Sequence, residues 1–430
     1  VANPIGNTIL WGYRLAGLAA RPLVPAALSA RVARGKEDGR RINERYGHAS
    51  APRPAGRVVW VHAASVGETN AVMPLAARLT ERGFHVVFTS TTTTSAAVAA
   101  RRLPASAIHQ FGPLDIGPFV DRFLAHWKPD LAIFVESEIW PTVIQRLDRL
   151  GIPLAIVNGR LSGRTFGGWR RVMWVARAVF SRIGLALAQS EEDGARLRAL
   201  GVRQVTVTGN LKFDVPPLAA EPDEVERLLT DIGQRPVWVA ASTHAGEEEF
   251  IADAHRLMRA RHPGLLTVIV PRHPERGDEV RALLAARRLS VAQRSRGEPL
   301  VREADVYLAD TLGELGLFYR VAPVAFLGGS LVATGGQNPI EPVMLDAAVL
   351  HGPHVHNFTE IYAHLDRAAP AAPITDAASL AAAVGGLLAD PRTAADRARA
   401  ATAALKPLAG ALDATLRALD PWLTPGAATP

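Results

Sequence analysis

Between Phe326 and Asp346 the chain reads FLGGSLVATGGQNPIEPVMLD: an apolar strand end, two glycine pairs and a proline-flanked helix start in one short span. Glycine lets backbone amides come close to a ligand, proline fits a first helical turn, and a new helix N-terminus offers unpaired N–H groups to an anion. The stretch therefore reads as a strand-loop-helix nucleotide site. Its candidate contacts are Gly328, Gly329 and Ser330, then Gly336, Asn338 and Glu341. The competing reading is an ordinary strand-to-helix connection whose glycines serve tight bends.

Outward from this stretch the same unit recurs. Apolar runs at 57–62, 85–90, 131–135, 153–158, 184–189 and 205–209 alternate with helical patterns, as parallel strands joined by crossover helices require. The run Asp214-Val215-Pro216-Pro217 interrupts the rhythm, which resumes at 236–242, 265–270, 305–309, 323–328 and 349–352. The fold expected is α/β, with two facing Rossmann-like domains and a deep cleft between them. Domains are expected at 51–212 and 213–420, with alanine-rich helices closing the second and a flexible tail over 421–430. At 430 residues the chain is too long for one ordinary core and suits two.

Composition removes several function classes. The chain has no cysteine, so disulfides and thiolate metal sites are excluded. Histidines lack ligand spacing and no Asp-x-Asp pair stands at a strand end, so no metal is expected. A net charge of +7, from 48 Lys+Arg against 41 Asp+Glu, favours phosphorylated or anionic partners. Nucleic acid is not expected, since aromatic and basic residues do not interleave and no nucleic-acid module is evident.

Residues 1–50 stand apart. TILWGYRLAGLAA over 8–20 is apolar but too short and interrupted to span a bilayer, and arginines follow it. Trp11, Tyr13 and the arginines suit a membrane-surface anchor; a core-docking amphipathic helix and a cleaved signal peptide are the alternatives.

Ligands of open α/β sheets sit outside the carboxyl ends of the strands, so the residues just after each strand are candidates. After the first strand come Ser65, Gly67 and Glu68 of ASVGE. Glu68 reads equally as a general base and as an acidic residue favoured at a helix start. Glu136 and Glu138 follow the run ending at Val135, where one of them could serve only as a cap. Basic residues close other strands: Arg160 and Arg164, Lys212, and Arg272, His273 and Arg276. Guanidinium forks match carboxylate and phosphate, and lysine serves as a point charge.

Taken in order, SVGE, ESEIWP, NGRLSGRTF, GNLKFD, ASTHAGEEE, PRHPER, DTLGELG and GGSLVATGGQNPIEP resemble the Kdo (3-deoxy-D-manno-octulosonic acid) transferases of lipopolysaccharide assembly, over roughly 41–358. The resemblance implies a GT-B glycosyltransferase, metal-independent, cofactor-free and inverting. It would move Kdo from CMP-Kdo to the tetraacylated lipid A precursor at the cytoplasmic face of the inner membrane. It casts Glu68 as the catalytic base and a second glutamate, Glu138 in preference to Glu136, as part of the site. It assigns CMP-Kdo to Arg272, the Gly328–Ser330 turn, Asn338 and Glu341, with Glu341 on the ribose diol. Thr311, Gly313 and Glu314 would line the same pocket, Lys212 would help the leaving phosphate, and Arg160 would face the donor carboxylate. Gln337 departs from the pattern, for the family motif has histidine there. Two rivals are another GT-B enzyme with a lipid acceptor, such as a UDP-sugar transferase, and a non-catalytic nucleotide-binding scaffold.

Overall fold

The computed structural model describes residues 4–424 and divides into two compact units: residues up to 215 together with those from 408 onward, and residues 216–407. The division falls inside the proline-marked run, where prolines remove the N–H groups a continuing helix or strand would use. The helix Ala411–Leu423 returns to the first unit, which corrects the expected second domain of 213–420. Leu416, Leu419, Trp422 and Leu423 are buried in the first unit's core. Trp422 packs against Gly184, where an added Cβ would stand 2.6 Å from the ring. Trp422→Ala is expected to cost about 3 kcal/mol of first-unit stability, the usual loss for a buried tryptophan. Urea unfolding followed by hydrogen exchange would check this, and unchanged protection of the helix Val66–Glu81 would sink it. The expected tail is helical as far as Leu423; 425–430 lie outside the described residues.

The first unit holds seven parallel strands: β1 (Val58–Ala63), β2 (His85–Ser90), β3 (Ile108–Phe111), β4 (Leu131–Val135), β5 (Leu154–Gly159), β6 (Leu185–Ala188) and β7 (Gln204–Val207), in the order β3-β2-β1-β4-β5-β6-β7. The second holds six: β8 (Val237–Thr243), β9 (Leu266–Pro271), β10 (Val291–Gln293), β11 (Val306–Leu308), β12 (Val324–Leu327) and β13 (Ala348–His351), in the order β10-β11-β9-β8-β12-β13. Inner strands such as β1, β4, β8 and β9 are buried along their whole length, because helices cover both faces of a parallel sheet. That double burial makes them read as unbroken apolar runs. Strand order reverses between β1 and β4 in one sheet and between β8 and β12 in the other.

The N-terminal segment has two parts. The helix Pro4–Ala20 buries only Gly6 and Leu10 and packs on the helix Met173–Phe180. Ile5, Ile9, Trp11, Leu15 and Leu18 remain exposed around it. Among the described residues no helix is long and apolar enough to cross a membrane. Residues 37–47 correct the expectation of an anchor running to 50. Arg45 is 2% exposed and donates to both Glu37 oxygens, to Thr91 O and to Gly112 O, while Glu44 accepts from Phe111 N. Arg31 pairs with Glu37, and Arg41 with Glu44 and His109 O, so these arginines serve the fold. The cause is plain: buried charges must be paired, and Glu37 and Glu44 supply the partners.

Candidate active site

The carboxyl ends of β1 and β4 meet at the reversal point of the first sheet, the place where open α/β sheets bind ligands. Ser65 caps the helix Val66–Glu81, its Oγ accepting from Glu68 N at 3.2 Å. Glu68 reaches back to accept from Ala64 N at 2.8 Å and Ser65 Oγ at 2.9 Å, a reciprocal capping arrangement. Those bonds alone would favour the carboxylate. Burial opposes them, and with the negative charges of Glu136 and Glu138 it pushes the Glu68 pKa up to about 7. The cap thus fixes the side chain while its surroundings bring its titration to neutral pH, so holding the helix start does not preclude proton transfer.

The other two glutamates sit in different environments. Glu136 adopts a left-handed backbone, φ 56°, and its Oε1 accepts from Lys212 Nζ at 2.8 Å. Positive φ is costly for a non-glycine residue, and strain of this kind gathers at functional sites. Glu138 accepts at Oε2 from Trp140 Nε1 at 2.8 Å, and the same oxygen lies 3.7 Å from His62 Nε2. Burial would raise the Glu138 pKa, but the nearby His62 ring and the Trp140 N–H outweigh it and hold the carboxyl below its ordinary range. Three carboxyl groups therefore share one locality with Glu68 and Glu138 pushed in opposite directions, the pattern that separates a base from a fixed acceptor. Arg160 follows β5 and is half-buried.

In the second unit the GGS turn does not present its amides outward. Glu247 is fully buried; its Oε1 accepts from Ser330 N at 3.0 Å and Leu331 N at 2.9 Å, and its Oε2 from Gly329 N at 2.7 Å and His244 N at 2.9 Å. An internal carboxylate thus occupies the N–H groups expected to cradle a phosphate. Ser330 is buried too, its Oγ donating to Leu327 O and accepting from Gly352 N. Gly328 is required by packing, since a Cβ there would stand 2.5 Å from Ser242 O. The expected helix start at Asn338 is a single turn, Ile340–Val343, with Asn338 Oδ1 accepting from Ile340 N. So short a helix has little dipole to offer an anion.

What the second unit does present is a polar cluster where β8, β9 and β12 end. Gln337 Nε2 stands 3.1 Å from His244 Nε2, and the His244 and His273 rings are 6.0 Å apart. Arg272 is exposed and has no side-chain hydrogen bond among the described residues. Burial first, then the charges of His273 and Arg272, lower the His244 pKa, so the ring stays neutral and accepts from the Gln337 amide. Gln337 thereby answers its departure from the motif with a defined contact. Other candidates are held by the framework: Arg276 by Glu248 at 2.8 Å, and Glu314 by Arg294 and Thr311. Gly313 is left-handed at φ 87°. Among the described residues no three His, Cys, Asp or Glu side chains are grouped as a metal site would need.

Sequence reasoning missed His62, Trp140, Glu247 and His244. His62 stands inside an apolar strand and looks like a satisfied core residue. Glu247 is one of three consecutive glutamates, and nothing in that run marks which one turns inward. Trp140 carried a usable signal, an indole two residues beyond Glu138.

Two Rossmann-like units in one chain, with charged clusters at the reversal points of their sheets, make up the GT-B type architecture. A glycosyltransferase from Rickettsia africae ESF-5 shares this fold with a TM-score of 0.58 over 87% of this chain and 100% of that one, at 12% identity. The family model described as 3-deoxy-D-manno-octulosonic-acid transferase (kdotransferase) matches residues 40–215. The 3-deoxy-D-manno-octulosonic acid transferase of Bordetella pertussis is 38% identical over 395 residues, covering 88% of this chain and 91% of that protein. The C-terminal CMP-Kdo binding domain of WaaA from Acinetobacter baumannii is 33% identical over 43% of this chain and 97% of that one, with a TM-score of 0.41. The chain belongs to the Kdo transferase family.

Proposed function

We propose that this Kdo transferase takes the sugar from CMP-Kdo and places it on a hydroxyl of the tetraacylated lipid A precursor, with inversion and without a metal ion. The observation that carries the reading is the Glu68 carboxylate, tuned to about 7 and fixed at the reversal point of the first sheet. The acceptor O–H gives its proton to Glu68 while its oxygen bonds to the Kdo anomeric carbon. The bond from that carbon to the phosphate oxygen breaks, and CMP leaves with the electron pair. Phosphate is already a good leaving group, so spreading its charge matters more than protonating it. Arg272 is the exposed cation suited to that task, with the exposed His273 imidazole beside it as a hydrogen-bonding group, and Arg160 suits the donor's own carboxylate. Lys212 is paired with Glu136, so its charge reaches the site as part of an ion pair.

The same reading puts the protein at the cytoplasmic face of the inner membrane. Ile5, Ile9, Trp11, Leu15, Leu18 and Leu23 are all exposed, and so many exposed apolar side chains in one short segment suit a lipid surface. The test is incubation with CMP-Kdo and the tetraacylated precursor in EDTA, with product masses read by mass spectrometry. Gains in whole Kdo units are expected, and UDP-sugars should give none. No gain from membrane-presented protein would remove the donor and acceptor assignment.

A further inference from the structure

His62 lies on β1, fully buried, and takes no part in the proton transfer above. Its Nδ1 is 2.8 Å from Thr89 Oγ1, and Trp60 Nε1 is 2.8 Å from the same oxygen. An indole N–H can only donate, so Thr89 Oγ1 accepts from Trp60 and keeps one hydrogen of its own. That hydrogen has two possible acceptors, His62 Nδ1 at 2.8 Å and Val61 O at 3.5 Å, and the nearer wins. Nδ1 therefore accepts, and the ring proton sits on Nε2.

Nε2 is buried with no hydrogen-bond partner, and the group in front of it is Glu138 Oε2 at 3.7 Å. The ring is held in place by Trp140, with centroids 4.5 Å apart, by Phe134 at 5.2 Å, and by Gly112, where a Cβ would stand 3.3 Å from Cε1. It cannot turn elsewhere for a partner. Trp140 Nε1 also donates to Oε2, so both neighbouring N–H groups face one oxygen of Glu138 and leave Oε1 for a ligand.

We propose that His62 is a positioning residue: the Trp60–Thr89–His62 chain fixes an Nε2–H that, with Trp140, holds Oε2 of Glu138 and aims Oε1 at a hydroxyl of the bound substrate. The buried donor finds its full bond when the substrate draws the carboxylate into line, so the contact strengthens in the loaded enzyme. The inference rests on the proposed reaction for its kinetics but not for its tautomer.

The test has two arms. Nitrogen-15 NMR of histidine-labelled full-length protein should show His62 protonated at Nε2 and bare at Nδ1, and Thr89→Val should abolish that preference. In Kdo transfer, His62→Gln carries an amide to the Nε2 position and should retain kcat. His62→Asn reaches only the Nδ1 position and should lose about tenfold to a hundredfold in kcat, the scale of one hydrogen bond to a charged group, with the donor KM unchanged. An Nδ1–H tautomer in the unmodified protein overturns the proposal. So does equal activity, or equal loss, in the two variants, since a packing role would not tell them apart. If the unmodified protein transfers no sugar, the proposed reaction falls while the NMR arm still decides the tautomer.

Discussion

Glu68→Gln is expected to lower kcat by on the order of a hundredfold to ten-thousandfold, the span that a positioned general base supplies. The glutamine variant isolates chemistry from folding. A glutamine amide oxygen can still accept from Ala64 N or Ser65 Oγ, so the helix start is kept. The pH profile carries the sharper signature. With its pKa at about 7, Glu68 must lose its proton to act, so kcat/KM should rise through pH 7 and level off above it. In the variant that limb should vanish. Stability runs the other way: a carboxyl raised by folding contributes stability below its ordinary range that is lost as pH climbs through about 7. The variant should therefore be no less stable than the parent at pH 8. Full activity with an unchanged limb would remove Glu68 from the reaction.

Glu247→Ala should be the most damaging single change in the second unit. It leaves four backbone N–H groups, those of His244, Gly329, Ser330 and Leu331, without the acceptor they converge on. Each unsatisfied buried donor costs about 1–3 kcal/mol, so a total of about 4 kcal/mol or more is expected. Glutamine in its place keeps the shape but turns an NH₂ toward two of the donors, and should fall between. Hydrogen exchange resolves the outcome by unit: protection should drop across β8 and β12 and hold across β1 and β4. Unaltered protection of the 329–331 amides would refute this role for Glu247.

The inner strands were legible because double burial writes them as continuous apolar runs; β2 and β4 lie at the residues read from sequence. The two strands not anticipated are β3, IHQF, and β10, VAQ, each at the edge of its sheet. Edge strands are short and only half covered, so polar residues are tolerated and the apolar signal fades. At the site, residues just after inner strands were readable from position alone, which is how Glu68, Glu136, Glu138 and Arg272 became candidates; position did not assign their roles. Residues that act from inside a strand or from a helix start far along the chain were not. His62 and Glu247 owe their importance to neighbours 76 and 82 positions away, and spacing along the chain carries no trace of such pairs.

The return of the helix Ala411–Leu423 to the first unit sets an order of events during synthesis. The ribosome delivers the first unit's seven strands before the second unit begins, but Leu416, Leu419 and Trp422 are made only after the whole second unit. At roughly 5 to 20 residues per second, the intervening unit takes tens of seconds or less to emerge and can finish first. The unit that is begun first is therefore completed after the one that follows it, and until then the apolar core around β1 and β2 lacks its covering helix.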